Sequence, residues 1–384
     1  MSWFSSSLGR DDLTYQASPL AVSRFTIPVS VIVPATGAKD LEQTLSAALN
    51  LHYPEHEVIV VLDATRDAQF AALAASWELD AREFFYRRSL DTTSVRRIYR
   101  SARDSRLIVA DKTAATSADA VNCGVNLARY RYVMVLPTGV AFDAEALLRL
   151  MAAPLRDPGT VLGASAHVEP SGHFARLRTL RSLMVSRLME PSAASALPTA
   201  DGVSVWRRDA VLDAGGFSSQ AWDMDLDMAW RTASAASRGG HPGRFHRSGH
   251  LFGRGEMRVH RWQRPVEAVR QLLGASSSWR VIGAAALVQL AITEVMLPLA
   301  ALALVAWMAF TIVIGGASWN LLAQILVAWA LGLGAVSLAA VLVRGGMPGS
   351  PQGLQLLRLI LSTSVELFVR PAHAVLDVRR TSHR

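Results

Sequence analysis

Cysteine is nearly absent from this sequence: Cys123 stands alone among 384 residues. An internal disulfide is therefore excluded, which suits a globular part held in a reducing compartment. Lysine is almost as scarce. Lys39 and Lys112 are the only two, so the net charge of +8 is carried almost wholly by arginine. The polar stretch Met1 to Leu20 lacks the basic-then-apolar layout of a secretory signal. Internal repeats, long low-complexity tracts and the charge rings or filter loops of a channel are absent too. An arginine surplus serves nucleic acid, an anionic membrane surface or a phosphorylated ligand. Long apolar runs further along the chain make the membrane surface the plainer partner, and nucleic acid is not expected.

Hydrophobic residues make up 51% of the chain, and they concentrate after Val281. Before that point, short β-branched runs alternate with helical patterns. Val29 to Pro34, Glu57 to Leu62, Leu107 to Ala110 and Tyr132 to Leu136 read as buried strands. Asp40 to Asn50, with Asp40 as a plausible N-cap, reads as a helix, as do Ala68 to Leu79, Ala118 to Arg129 and Asp143 to Met151. Such alternation predicts an α/β domain with a mostly parallel sheet, whose ligands would sit beyond the carboxyl ends of the strands. The arginine-rich stretch Asp80 to Arg106, holding Arg87-Arg88 and Arg96-Arg97, interrupts the pattern as either a solvated excursion or a phosphate- or membrane-facing patch.

Val281 to Ile314 and Trp319 to Val343 are each long enough for one membrane span of about 20 residues. Arg264, Arg270 and Arg280 precede them and Arg344 follows, so both flanks are expected on the cytosolic side. Leu354 to Val378 is also apolar but carries Arg358, Glu366, Arg370 and Asp377, and is read as an amphipathic interfacial helix. The expected organisation is a tail over 1–28, an α/β domain over 29–264, a juxtamembrane segment over 265–280, two spans within 281–343, and an interfacial helix with a basic tail over 344–384.

Several collinear stretches carry a family resemblance. They are Val29-Ser-Val-Ile-Val-Pro-Ala35, Tyr53-Pro54, Glu57 to Asp67, Val109-Ala-Asp-Lys112, Ala118-Asp-Ala-Val-Asn-Cys-Gly124, Trp206 to Phe217, Asp223-Met-Asp-Leu-Asp227 and Arg261-Trp262. In this order, with apolar runs behind them, they resemble membrane-bound family 2 glycosyltransferases, whose catalytic domain has the GT-A fold. The resemblance implies an inverting transferase that moves a sugar from a nucleotide sugar to a lipid-linked or polysaccharide acceptor. It would be a multi-pass protein of a bacterial-type inner membrane with its large domain in the cytosol.

That chemistry needs a general base, charge neutralisation on the departing diphosphate and a site that aligns donor and acceptor. The resemblance makes Asp225 the base, although Asp225 and Asp227 are equally read as acids favoured at a helix start. Asp63, Lys112, Arg258 and Arg261 fall at nucleotide and diphosphate positions, and Trp262 at the acceptor. Asp63 also reads as a turn residue, and Arg261-Trp262 as an interface anchor. No metal-binding residue is assigned. The family would use Mg²⁺ or Mn²⁺ on a D-x-D pair, but Pro137, Thr138 and Gly139 stand there, and a hard cation wants carboxylate oxygens. Met224, Leu62, Ser117 and Arg258 replace further family residues. The alternative is therefore an inactive pseudo-glycosyltransferase that partners or scaffolds an active synthase. The histidines at 241, 246, 250 and 260 fit no metal-finger spacing, and Cys123 reads as a packing residue.

Overall fold

Twelve consecutive residues, 244–255, make the longest strand among the described residues, in a segment whose glycines and arginines give no strand pattern. The computed structural model describes residues 26–35, 40–63, 67–83, 85–169, 202–219, 221, 224–239, 243–255, 307 and 310. The chain divides into two units, Met1–Ser171 with Ala194–Arg258, and Gly172–Ala193 with Val259–Arg384. The second is described only at Trp307 and Phe310, so the spans expected within 281–343 and the interfacial helix after them lie outside the described residues. Among the described residues, no helix is long and apolar enough to cross a membrane.

In chain order the first unit contains β1 (Val29–Ala35), α1 (Leu41–Leu49), β2 (His56–Asp63), α2 (Asp67–Trp77), β3 (Leu79–Ala81), β4 (Val95–Ser101), β5 (Leu107–Lys112), α3 (Ser117–Leu127), β6 (Tyr132–Val135), β7 (Val140–Phe142), α4 (Ala146–Leu150), α5 (Ala152–Arg156), β8 (Val161–Glu169), β9 (Gly202–Arg207), α6 (Arg208–Asp213), α7 (Met224–Arg238) and β10 (Arg244–Gly255). All ten strands join one sheet in the order β3-β4-β5-β2-β1-β6-β9-β8-β10-β7. The inner strands β5, β2, β1 and β6 are parallel, as the βα alternation requires. The flanks differ. β3, β4, β9 and β7 each run antiparallel to their neighbours, so the sheet is mixed and not mostly parallel. The helix expected to reach Leu79 stops at Trp77. Glu78 turns the chain at φ +49°, and Leu79 opens an edge hairpin that continues through the arginine-rich stretch.

The alternation of each strand sends its side chains into two apolar layers. Val31, Val33, Val60, Met134 and Val205 enter one layer with Leu45 of α1. Ile32, Ile59, Val133 and Trp206 enter the other with Val121 of α3 and Met228 of α7. Two polar residues inside β-branched runs have a specific partner. Glu57 is fully buried; it accepts from Ser30 Oγ at 2.6 Å, from Arg129 N at 2.9 Å and from Arg129 Nε at 2.7 Å. Charge pairing and three donors make that burial tolerable, and they pin the α3–β6 connection to the amino end of the sheet.

Helix α3 organises the opposite side. Thr116 caps it by accepting from Asp119 N, and Gly124 lets it lie so close to β1 that a methyl group there would meet Ile32 Cγ2 at 2.4 Å. One polar face of the helix then grips two distant segments. Asn122 accepts from Phe217 N at 2.7 Å and donates to Phe217 O at 2.9 Å. Asn126, one turn on, accepts from Ser89 N at 3.0 Å and Leu90 N at 2.9 Å, and donates to Leu90 O at 2.9 Å. Replacing Asn122 with Ala would leave both buried Phe217 groups without those bonds. We expect Asn122→Ala to cost about 2 kcal/mol, read as a lower urea midpoint at unchanged m value. Wild-type stability would mean that the Phe217 turn is held from elsewhere.

Candidate active site

In a sheet with this parallel centre, ligand-facing residues are sought at the carboxyl ends of the strands. Register brings Asp63, the last residue of β2, beside Lys112, the last residue of β5. Antiparallel β9 presents its amino-terminal half at the same edge, where Ser204 pairs with Val135 of β6 on one side and Ser165 of β8 on the other. Asp225 joins them. It lies in the first turn of α7, and its Oδ1 accepts from Ser204 Oγ at 2.6 Å. Ser204 Oγ in turn accepts from Trp206 Nε1 at 2.9 Å. The indole is fully buried and packed against Phe245, with ring centroids 4.7 Å apart. The expected base is thus held at the carboxyl edge by a rigid two-step hydrogen-bond chain. No sequence pattern had pointed to Ser204. The signal that could have found it is the serine of Val203-Ser204-Val205, a polar residue inside a buried β-branched run, as Ser30 is in β1.

The start of α7 is clamped independently of that chain. Arg231 donates to Asp227 Oδ2 through Nη2 at 2.6 Å and through Nε at 2.8 Å. Its Nη1 also donates to the carbonyls of Ala214 and Gly216, each at 2.6 Å. Gly215 and Gly216 sit at φ +80° and +79°, in the left-handed region that glycine adopts without penalty. A methyl group on Gly216 would also meet Asn122 Oδ1 at 2.7 Å. Asp227 is therefore engaged in structure, while Asp225 faces the sheet edge.

The Lys112 side chain is buried. It has 0% exposure and forms an ion pair with Asp119 of α3. Its Nζ also donates to Thr113 O at 3.0 Å. Asp119 further accepts from Thr93 N at 2.9 Å and Thr93 Oγ1 at 2.8 Å. Burial pushes the Asp119 carboxyl up, but the bonds from Lys112 and Thr93 outweigh it and hold it below the usual carboxylate range. In this arrangement Lys112 ties the end of β5 to α3. Arg258, Arg261 and Trp262 lie outside the described residues, as do Thr36 to Ala38, and Asp63 is described by its backbone alone.

The stretch Pro137 to Gly139 follows β6. Gly139, at φ +82°, donates its N–H to Thr44 Oγ1 at 3.1 Å, and Gly255 of β10 lies so close that a methyl group there would meet Gly139 O at 2.4 Å. Among the described residues, the nearest carboxylate is Asp40 at the start of α1, whose Oδ2 lies 3.8 Å from where a Gly139 side chain would begin. One carboxylate, a threonine hydroxyl and backbone carbonyls do not fit a hard divalent cation, which needs several oxygen ligands with charge among them. Among the described residues, no group of three His, Cys, Asp or Glu side chains converges on a metal site. Of the four histidines, His246 and His250 lie on β10, and His241 and His260 lie outside the described residues. Cys123 is buried in the layer between α3 and the sheet.

No protein-family model matches the chain. Among curated proteins, a poly-β-1,6-N-acetyl-D-glucosamine synthase of Staphylococcus epidermidis is 22% identical over 199 residues, covering 50% of this chain and 42% of that protein. One from Staphylococcus aureus is 24% identical over 200 residues, with the same coverages of 50% and 42%. The match thus spans less than half the length of these relatives. Among solved structures, S. aureus TarS 1-349 in complex with UDP-GlcNAc has 14% identity and a TM-score of 0.41 over 66% of each chain.

The ion pair yields a prediction that separates structure from ligand binding. Because Asp119 is depressed in the folded state, its contribution is present above the unfolded value of about 3.9 and is lost as pH falls through the folded value. Lys112→Ala should destabilise the protein by about 3 kcal/mol near neutral pH and flatten this acid-side loss, both measurable by urea titration at a series of pH values. Unchanged stability with weakened nucleotide binding would return Lys112 to the ligand site.

Proposed function

We propose that this chain, a relative of the GT-A glycosyltransferases of family 2, is a membrane-anchored transferase that moves a sugar from a nucleotide sugar to a lipid-linked or polysaccharide acceptor. The observation that carries the proposal is the Asp225 carboxylate, held by Ser204 at the carboxyl edge of the sheet. A carboxylate fixed there suits a general base that takes the acceptor hydroxyl proton as the anomeric bond to the diphosphate breaks. Asp63 ends strand β2, where it would accept hydrogen bonds from the nucleoside. Arg258 and Arg261 would clamp the departing diphosphate bidentately, and Trp262 would stack on the acceptor sugar. No step is assigned to a metal, since residues 137–139 do not fit one. The named products of the curated relatives point the donor search to N-acetylglucosamine nucleotides first.

The apolar runs of 281–343 would form two spans and keep the domain of 29–264 at the cytosolic face of a bacterial-type inner membrane. A second reading, a pseudoenzyme that scaffolds an active synthase, is favoured by two observations. The D-x-D positions hold no carboxylate, and Lys112 is buried in an ion pair.

Calorimetry of the purified full chain across UDP- and GDP-sugars, with and without Mg²⁺ or Mn²⁺, decides between them. On the transferase reading a donor binds without metal, and Asp225→Asn keeps that binding while cutting turnover by about 10²- to 10⁴-fold. If folded protein binds no donor, the transferase reading is lost and the scaffold reading stands. The anchor is tested separately: the chain should resist alkaline carbonate extraction from membranes, and its release would remove the membrane part of the proposal.

A further inference from the structure

The edge of the sheet formed by β3 and β4 is strongly basic. Arg82, Arg87, Arg88, Arg96, Arg97 and Arg103 are all exposed along this hairpin and its connections. Arg82 N donates to Ile98 O at 3.0 Å, which sets Arg82 opposite Ile98, the neighbour of Arg97 on β4, and Phe85 and Arg87 follow in the connection. Some of these charges are balanced: Arg82 lies 3.5 Å from Asp80, and Arg96 pairs with Asp111 at 2.8 Å. Arg87 and Arg97 form no ion pair among the described residues. Arginines on an edge strand have a plain explanation, since charge there blocks edge-to-edge pairing with other sheets. That explanation fails for Phe85. Its 95% exposure makes it the one large apolar side chain left in water among the described residues of the first unit, where it works against solubility.

Arginines without ion-pair partners on the same edge as a protruding phenylalanine combine the two features of an interfacial anchor: charge for anionic headgroups and a ring for the boundary between headgroups and acyl chains. We propose that the β3–β4 edge docks on an anionic lipid surface, with Phe85 inserted and Arg87 and Arg97 facing the headgroup phosphates. The choice of lipid over another polyanion rests on the two apolar runs of the same chain and so on the membrane part of the reading above. The connection that carries Phe85 is built to hold such a load. Its far end is fixed to α3 through Asn126 and Asp119, and Arg88 closes it by donating to Thr92 O.

Cys123 makes a clean test practical. It is the sole cysteine, it is buried, and burial pushes its thiol pKa up to about 11, so a thiol reagent at neutral pH will label an introduced Phe85→Cys selectively. The full chain carrying the environment-sensitive fluorophore NBD at position 85 is reconstituted by detergent removal into vesicles of phosphatidylcholine alone or mixed with phosphatidylglycerol. Flotation reports whether the chain is membrane-held; NBD emission reports the edge. The expected result is a blue shift and brightening in the anionic vesicles only, weakened by high salt and abolished by Arg87→Glu with Arg97→Glu. Equal emission in neutral and anionic vesicles, from chain that floats, overturns the docking proposal and leaves the anchor intact. Chain that fails to float on either vesicle overturns both. Emission that responds to a soluble oligonucleotide in the absence of lipid assigns the edge to nucleic acid and overturns the lipid proposal.

Discussion

One helix face governs this unit. Asp119, Asn122 and Asn126 lie along α3 and reach, respectively, the end of β5, the Gly-Gly-Phe turn and the connection of the edge hairpin. None of the three is there for helix propensity. Each satisfies backbone or charge that would otherwise be buried unpaired. The turn they hold leads into α7, whose first turn carries Asp225. The position of a carboxylate at the sheet edge is thus tied to a basic hairpin remote in sequence through side chains one and two helical turns apart. Gly124 on the same helix sets its distance from β1, so the grip and the packing cannot be adjusted separately.

Reading the fold from sequence worked where burial on both faces leaves continuous β-branched runs. β1, β2, β5 and β6 were legible because parallel strands show that pattern, and α3 because its apolar face repeats at helical spacing. The edge hairpin was not. Its strand β4 alternates Ile98 and Tyr99 with arginines, which reads as solvated surface until its partners are known. β10 was hidden by glycines that serve close approach: Gly253 and Gly255 would each place a methyl group within 2.4 Å of a β7-side carbonyl. The mixed character of the sheet is a long-range property, set by pairings such as β9 with β6 that no local period encodes.

The candidate site was legible to a different degree at each residue. Asp225 was identifiable only by its place among collinear motifs, and its hydrogen-bond chain through Ser204 to Trp206 is a tertiary fact. Lys112 illustrates the reverse. A lysine at the end of a strand, on the ligand side of the sheet, reads as a phosphate contact, and the fold adds what spacing does not show: a pair with a helix carboxylate that lies in the sequence motif beside it. Which of two carboxylates at the head of α7 faces the edge was likewise undecidable from spacing. Arg231 settles it by taking Asp227 for the turn.

The loop after β6 has one more consequence. Gly139 occupies a left-handed conformation that residues with a side chain rarely adopt, and among the described residues the Asp40 carboxylate lies nearest to where its side chain would begin. An acidic residue arising there by a single codon change would face a second carboxylate already in place, at the cost of backbone strain that glycine avoids. The loop beside β6 thus brings position 139 next to an acid although its own residue is glycine, and a carboxylate placed there would be the second in that loop.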